Sequence, residues 1–332
     1  MKNAALLSHI RQLCSLRLGG RTIMPALLKA VQDLVPADLA EFVWVDADGE
    51  VANLFAEQIP PEPVVEFYFR PRDGGGSPFA LRFRFLAAQE DPVTALSATD
   101  AIRRTNYYHT VLRHLAAEHV LHAVIRKRGR ALGQLTLYRR DRQAAFSAGE
   151  RAAITAIAGY IAHGVEDIFP AAAPREDERN YLDTGHEAMI ILSRDGALRH
   201  CPSAARRLLL YVTLDAINGG SLAGQHAAIS GVMRELVDQM QDGRTGRTDK
   251  AGFAPGLVVT NHWGRFVLRA YWLTDDALAP DALIGVQVRR QAPTVLLLSQ
   301  AMRGLSLSPQ QKEVGLLVAQ GKSNPQIATL LG

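Results

Sequence analysis

The residues with the most chemistry per unit length lie between positions 106 and 122, where NYYHTVLRHLAAEHVLH sets His109, His114, His119 and His122 beside Tyr107 and Tyr108. Four imidazoles in so short a span invite a haem or metal reading. His114 and His119 stand five apart, however, and no cysteine or carboxylate set with metal spacing accompanies them, so hydrogen-bonded or surface histidines are expected and no metal site. Gly74-Gly75-Gly76 is not a phosphate loop, since no Gly-Lys-Ser/Thr follows. No Gly-x-Ser-x-Gly elbow occurs, and neither Cys14 nor Cys201 sits in a catalytic signature. The expectation is a chain that is not an enzyme and carries no cofactor. The aromatic set Phe42, Trp44, Phe67, Tyr68 and Phe69 reads as core rather than as a ligand cage.

Composition sets outer bounds. The 332 residues are enough for two or three domains, and 48% hydrophobic with 21% charged residues is ordinary for a globular protein. Thirty-seven Lys and Arg against 33 Asp and Glu leave +4, a balance that permits nucleic-acid binding without demanding it. Two distant cysteines suggest neither a disulfide framework nor a zinc site, and a reducing cytoplasm fits. His9 and Arg11 interrupt the N-terminal apolar run before a signal-peptide core forms, and no stretch approaches the roughly 20 apolar residues of a membrane span. The expected location is cytoplasmic, with no membrane partner.

Any such residues must be positioned by elements that the pattern indicates. LAEFVWVDADGEVANLF has two apolar runs about the turn residues 46–49, a hairpin. Residues 60–92, rich in proline and glycine, read as a loop-rich insertion around the alternating LRFRF. HVLHAVIRKRGRALGQLTLYRR is a second hairpin turning at 127–130, with Gly129 free to take positive φ. In FSAGERAAITAIAGYIAHGVEDI, Ser147 and Glu150 form a capping box ahead of apolar residues at helical spacing. Residues 170–178, PAAAPREDE, are the linker candidate. A hairpin turning at Asp195-Gly196 follows, then a helix from about Ser203, a second helix closed by Gly243, and the strands GRFVLRAYWL and ALIGVQVRRQ with a long connection. An antiparallel sheet with helices on one face is expected, so the fold class is α+β.

The end of the chain is the most specific segment. In LSPQQKEVGLLVAQGKSNPQIATLLG, Ser308 caps with Gln311 three residues on, Pro309 takes the first helical position, Gly321 stops the helix, and Ser323 caps again with Gln326. Val314, Leu317 and Val318 are the expected apolar face of the first helix; Ile327, Ala328, Leu330 and Leu331 that of the second. Spacing alone allows any αα-hairpin. The residues Leu307, Ser308, Pro309, Glu313, Val314, Gly321, Ser323, Asn324, Ile327, Ala328, Leu331 and Gly332 closely resemble the first two helices of a LuxR-type helix-turn-helix, from which Gly315 departs. The resemblance implies DNA as a partner. Lys322, Ser323 and Asn324 would meet the phosphate backbone, while a third helix, beyond Gly332, would read bases. Residues 1–332 alone are therefore expected to form no sequence-specific DNA complex at physiological salt, and Ile327, Leu330 and Leu331 to be poorly covered.

The front of the chain resembles other families. Residues 24–167, through GQLTLYRR, FSAGER and AIAGYIAHGVE, resemble GAF-like sensor domains, and EAMIILSRDGALRH followed by SAARRLL is similar to PAS-type domains. Cys201 or Pro202 stands where the second family has an asparagine, so no role of that asparagine is implied. The division that follows is a GAF-like domain with an N-terminal helix at 1–169, the linker at 170–178, a PAS-like domain at 179–291, a connecting helix at 292–304 and a partial LuxR-type helix-turn-helix at 305–332. Its implied function is a transcriptional regulator, expected to be a homodimer, whose sensor domains answer a small ligand or partner. The alternative is a sensor or dimerisation protein without DNA binding of its own.

Overall fold

The computed structural model describes residues 2–71, 75–166, 180–242, 256–274, 276 and 279–331. The chain is α+β and forms two compact units, the first built from residues 1–170, 216–219 and 298–332 and the second from 171–215 and 220–297. The linker candidate at 170–178 and the expected stop at Gly243 lie outside the described residues.

In the first unit the order is α1 (Lys2–Ser15), α2 (Gly20–Leu34), β1 (Leu39–Val45), β2 (Val51–Ala56), α3 (Glu62–Phe69), α4 (Pro78–Ala87), β3 (Val93–Ser97), α5 (Asp100–Arg103), a π-helical turn at Tyr108–Leu112, β4 (His119–Lys127), β5 (Arg130–Arg139) and α6 (Ala148–Val165). The five strands are antiparallel in the order β2-β1-β5-β4-β3. Both expected hairpins form, with Gly49 at φ 80° and Gly129 at φ 79° in their turns. β1 is buried along its whole length because both faces of the sheet are covered. Phe42, Leu121, Leu135 and Leu137 form an apolar face, against which α2 and α6 pack. α6 begins at the expected capping box, with Ser147 N donating to Glu150 at 2.8 Å and Glu150 N to Ser147 Oγ at 3.2 Å.

The segment at 60–92 departs from expectation. Its LRFRF stretch alternates like a strand, yet lies inside α4, which Ser77 caps by accepting from Ala80 N at 3.1 Å with Pro78 in the first turn. The cap and the helix-compatible proline override a two-residue alternation only five residues long. Phe79, Phe83 and Leu86, at helical spacing, are the buried face.

The second unit holds β6 (Tyr181–Ser193), β7 (Leu198–His200), α7 (Ser203–Thr213), α8 (Gly219–Asp242), β8 (Gly256–Asn261), β9 (Gly264–Trp272) and β10 (Leu283–Pro293). Its sheet runs β7-β6-β10-β9-β8, the same order as the first. Gly196 turns β6 into β7 at φ 85°, as expected. β8 was not anticipated: its Val258-Val259-Thr260 run is too short to stand out, and it pairs with β9. Buried Trp263 donates from Nε1 to Leu214 O at 3.0 Å, and its own carbonyl accepts Nε and Nη2 of Arg290 at 3.1 and 2.6 Å. Burial, the largest influence, pushes the Arg290 pKa down to about 10.

After β10 come α9 (Thr294–Ala301), a 3₁₀ turn (Met302–Gly304), α10 (Pro309–Ala319) and α11 (Asn324–Leu331). Residues from 298 onward belong to the first unit.

Candidate functional site

Opposite its apolar face, the first sheet carries a row of polar residues. Glu41 of β1 faces Thr136 of β5, Gln134 and Tyr138 stand two residues to either side of Thr136, and His122 of β4 pairs with Thr136 from the other side. Alternation puts all five side chains on one face, where α3, α4 and the segment before the π turn close over them. Tyr68 from α3 and Tyr138 both donate their hydroxyls to Glu41 Oε1. Burial holds the Glu41 carboxyl above the ordinary carboxylate range, against the lowering influence of its hydrogen bonds from Tyr138, Tyr68 and Thr136. Burial and then the adjoining Glu41 push both tyrosine hydroxyls well up.

Arg82 of α4 reaches the other end of the row. Its Nη2 lies 3.2 Å from His122 Nε2, and its guanidinium carbon stands 4.0 Å over the Tyr107 ring. The Tyr107 hydroxyl is 3.4 Å from the same imidazole nitrogen, and burial pushes its pKa up to about 12. His122 is 2% exposed, and burial followed by the Arg82 charge keeps it neutral, well below its usual pKa.

These neighbours fix the tautomer. Arg82 has only donors, so Nε2 of a neutral His122 accepts and the ring proton sits on Nδ1. Nδ1 lies 3.2 Å from the Gln134 amide, which is 3.0 Å from Thr136 Oγ1. An amide nitrogen there would set donor against donor; a half-turn of the amide presents its oxygen instead and satisfies the contact. The result is a connected line from Arg82 through His122, Gln134 and Thr136 to Glu41.

Two cavities flank this network. One, of about 160 Å³, touches Glu41 and Tyr138 and is bounded by residues 56–61 and 114–116. The other, of about 230 Å³, is lined by Phe67, Pro78, Asn106 and Thr110 among others; its Phe67 ring stands 5.4 Å from Tyr107.

Of the four clustered histidines, only His122 enters the network. His119 pairs with Ser97 Oγ at 2.9 Å and His109 is exposed; among the described residues no three His, Cys, Asp or Glu side chains gather as a metal site. Phe42, Trp44, Phe67 and Tyr68 are buried, as a core reading requires, and Phe69 is half-buried. The spacing reasoning missed Glu41, Arg82, Gln134, Thr136 and Tyr138. A signal was present: Gln134, Thr136 and Tyr138 alternate within an apolar strand, and Glu41 is the one charge in LAEFVWV.

At the end of the chain, Ser308 N donates to Gln311 Oε1 at 2.8 Å and Gln311 N to Ser308 Oγ at 3.2 Å, completing the expected box. Gly321 turns at φ 76°, and Ser323 N donates to Gln326 Oε1 at 2.9 Å. Lys322, Ser323 and Asn324 are together and exposed at the start of α11. On α10 the apolar face differs from expectation, with Leu316 buried and Val318 56% exposed; on α11 Leu330 is exposed as expected, whereas Ile327, expected to be poorly covered, is buried. Gly315 lets the Met302 methyl approach to where a side-chain carbon would be only 2.6 Å away. Among the described residues no helix is long and apolar enough to cross a membrane.

No protein-family model matches the chain, and no curated protein matches it. Similar solved structures include the GAF domain of the cyanobacteriochrome TePixJ (14% identity, TM-score 0.36, covering 46% of this chain and 92% of that one). The GAF domain/HD domain protein from Geobacter sulfurreducens gives 16% identity and a TM-score of 0.35, over 45% of this chain and 94% of that one. The bacteriophytochrome RpBphP3 from the photosynthetic bacterium R. palustris gives 12% identity and a TM-score of 0.37, over 96% and 76%. At these scores the likenesses carry no argument, and the functional reading rests on this chain's own residues.

Proposed function

We propose that this chain is a transcriptional regulator of the LuxR type, in which a GAF-like first unit and a PAS-like second unit sense a small ligand or partner and control a helix-turn-helix that includes α10 and α11. The observation that carries the reading is the terminal pair of helices: a complete capping box at Ser308, a positive-φ turn at Gly321, and exposed Lys322, Ser323 and Asn324 where free backbone N–H groups of α11 begin. The shared strand order of the two sheets supports two sensor domains of one architectural kind, and the polar network of the first supplies side chains that a ligand could engage. On this reading the protein is a cytoplasmic homodimer that binds DNA through two half-sites and catalyses nothing.

The test is selection of duplexes from a random pool by protein made from the complete reading frame. Enrichment of a motif with two related half-sites is the expected result. A pool that stays random through successive rounds contradicts DNA readout and leaves the sensor without DNA binding.

A further inference from the structure

We propose that the polar network of the first unit is an oxyanion site, in which Arg82 grips a carboxylate or phosphate of a small ligand beside Tyr107 and His122. This rests on the ligand-sensing reading above and adds the chemical class of the ligand.

Three observations converge on Arg82. Among the described residues no carboxylate forms an ion pair with it. Its Nε is buried and has no hydrogen-bond partner, a position that native structures seldom leave unfilled. The guanidinium is also held in place, lying over the Tyr107 ring with one Nη2 bond spent on His122. A planar fork already fixed in orientation loses little freedom on gripping a two-oxygen edge. Its half-exposed side chain keeps it within reach of solvent.

The surroundings favour an anion over other ligands. At the far end of the row, Glu41 Oε1 is already taken by two tyrosine hydroxyls, so it offers little to an incoming ammonium group. His122 is neutral and spends its accepting nitrogen on Arg82, leaving the guanidinium as the strongest unsatisfied group. The cavity of about 230 Å³ is lined by Phe67, whose ring stands 5.4 Å from that of Tyr107, and by Pro78, one helical turn before Arg82.

A bound anion would offset the Arg82 charge that helps keep His122 neutral, so the imidazole reports occupancy. The 332-residue chain, carrying ¹³C,¹⁵N-histidine, is titrated at constant ionic strength with benzoate, inorganic phosphate, benzyl alcohol and benzylamine. Saturable shifts of the His122 resonances with benzoate or phosphate, absent with benzylamine, are expected; which of the two binds separates a carboxylate from a phosphate ligand. Arg82→Gln should weaken that binding by about tenfold or more, and Arg84→Gln on the same helix should leave it unchanged. If Arg82→Gln fails to fold by near-UV circular dichroism, Arg82→Lys, which keeps the charge and loses the fork, should weaken it in the same direction. Binding of only the alcohol or amine overturns the oxyanion assignment while the sensor reading stands. Anion shifts untouched by Arg82 substitution also overturn it, and no binding by any probe counts against both.

Discussion

Asp33 on α2 and Arg303, in the turn that follows α9, form an ion pair that ties the approach to the last two helices to the N-terminal helices of the first unit. Ser299 adds a weaker contact, 3.4 Å from Gln12 on α1. Met302, between them, is buried. A displacement of α1 or α2 would therefore be felt at the base of α10.

The pair is partly exposed, at 42% for Arg303 and 25% for Asp33, so its worth is small. A double-mutant cycle with Asp33→Asn and Arg303→Gln, read by urea denaturation, should give a coupling of about 0.5 kcal/mol. Lys29, 3.6 Å from Asp33, is kept unchanged so that its own interaction cancels. A coupling of zero would mean that the tether does not contribute.

His9 on α1 lies beneath the same segment. Burial first, then the charges of Arg303 and Lys312, push its pKa down to about 4, with Asp33 opposing. The unfolded chain, titrating near 6.5, takes up the proton more readily than the folded one. Stability is then full above pH 6.5 and falls as pH drops toward 4, by up to about 3 kcal/mol. His9→Gln should flatten that slope in urea midpoints measured between pH 7 and 4.5. An unchanged slope would place the acid sensitivity elsewhere.

Glu41 titrates with the opposite sense. Its folded pKa is raised by burial, so the carboxyl contributes no penalty below about 4.5 and becomes increasingly destabilising as pH rises above that value. Glu41→Gln keeps an acceptor for Tyr68 and Tyr138 and removes the ionisation. The variant should gain in melting temperature relative to the parent as pH rises from 4.5 to 8; a gap that narrows over that range would contradict a raised carboxyl pKa.

At Gly133, β5 runs tight against β1. A side-chain carbon there would lie 2.2 Å from the Val43 carbonyl oxygen and 2.9 Å from the Phe42 ring. Gly133→Ala should cost about 3 kcal/mol or more in chemical denaturation. Gly129→Ala meets nothing within 4 Å and pays only for its positive φ, so it should cost about 1 kcal/mol. Equal costs at the two positions would show that the close approach is not limiting.

Much of this fold was legible where local chemistry decides it. The turns at Gly49, Gly129 and Gly196, the Ser147 and Ser308 boxes, and the α+β class all follow from residues within a few positions of each other. The 60–92 segment, which reads as loop-rich, holds α3 and α4, because a short alternation such as LRFRF shows no helix until its cap at Ser77 is weighed. The candidate site was harder to see for a different reason. Arg82 and His122 meet across 40 positions and Glu41 and Tyr138 across 97, so no spacing rule connects them. The histidine cluster drew attention by number alone, while the one histidine that matters is singled out by the strand face it occupies.

The central claim, a sensor that governs a DNA-binding helix pair, is tested most directly by fluorescence-anisotropy titration of protein from the complete reading frame against a selected duplex over a range of salt. The account predicts a saturable complex whose log affinity falls linearly with log salt, and a shallower slope, by about one, for Lys322→Gln. No complex at low salt, or a slope indifferent to Lys322, would contradict it.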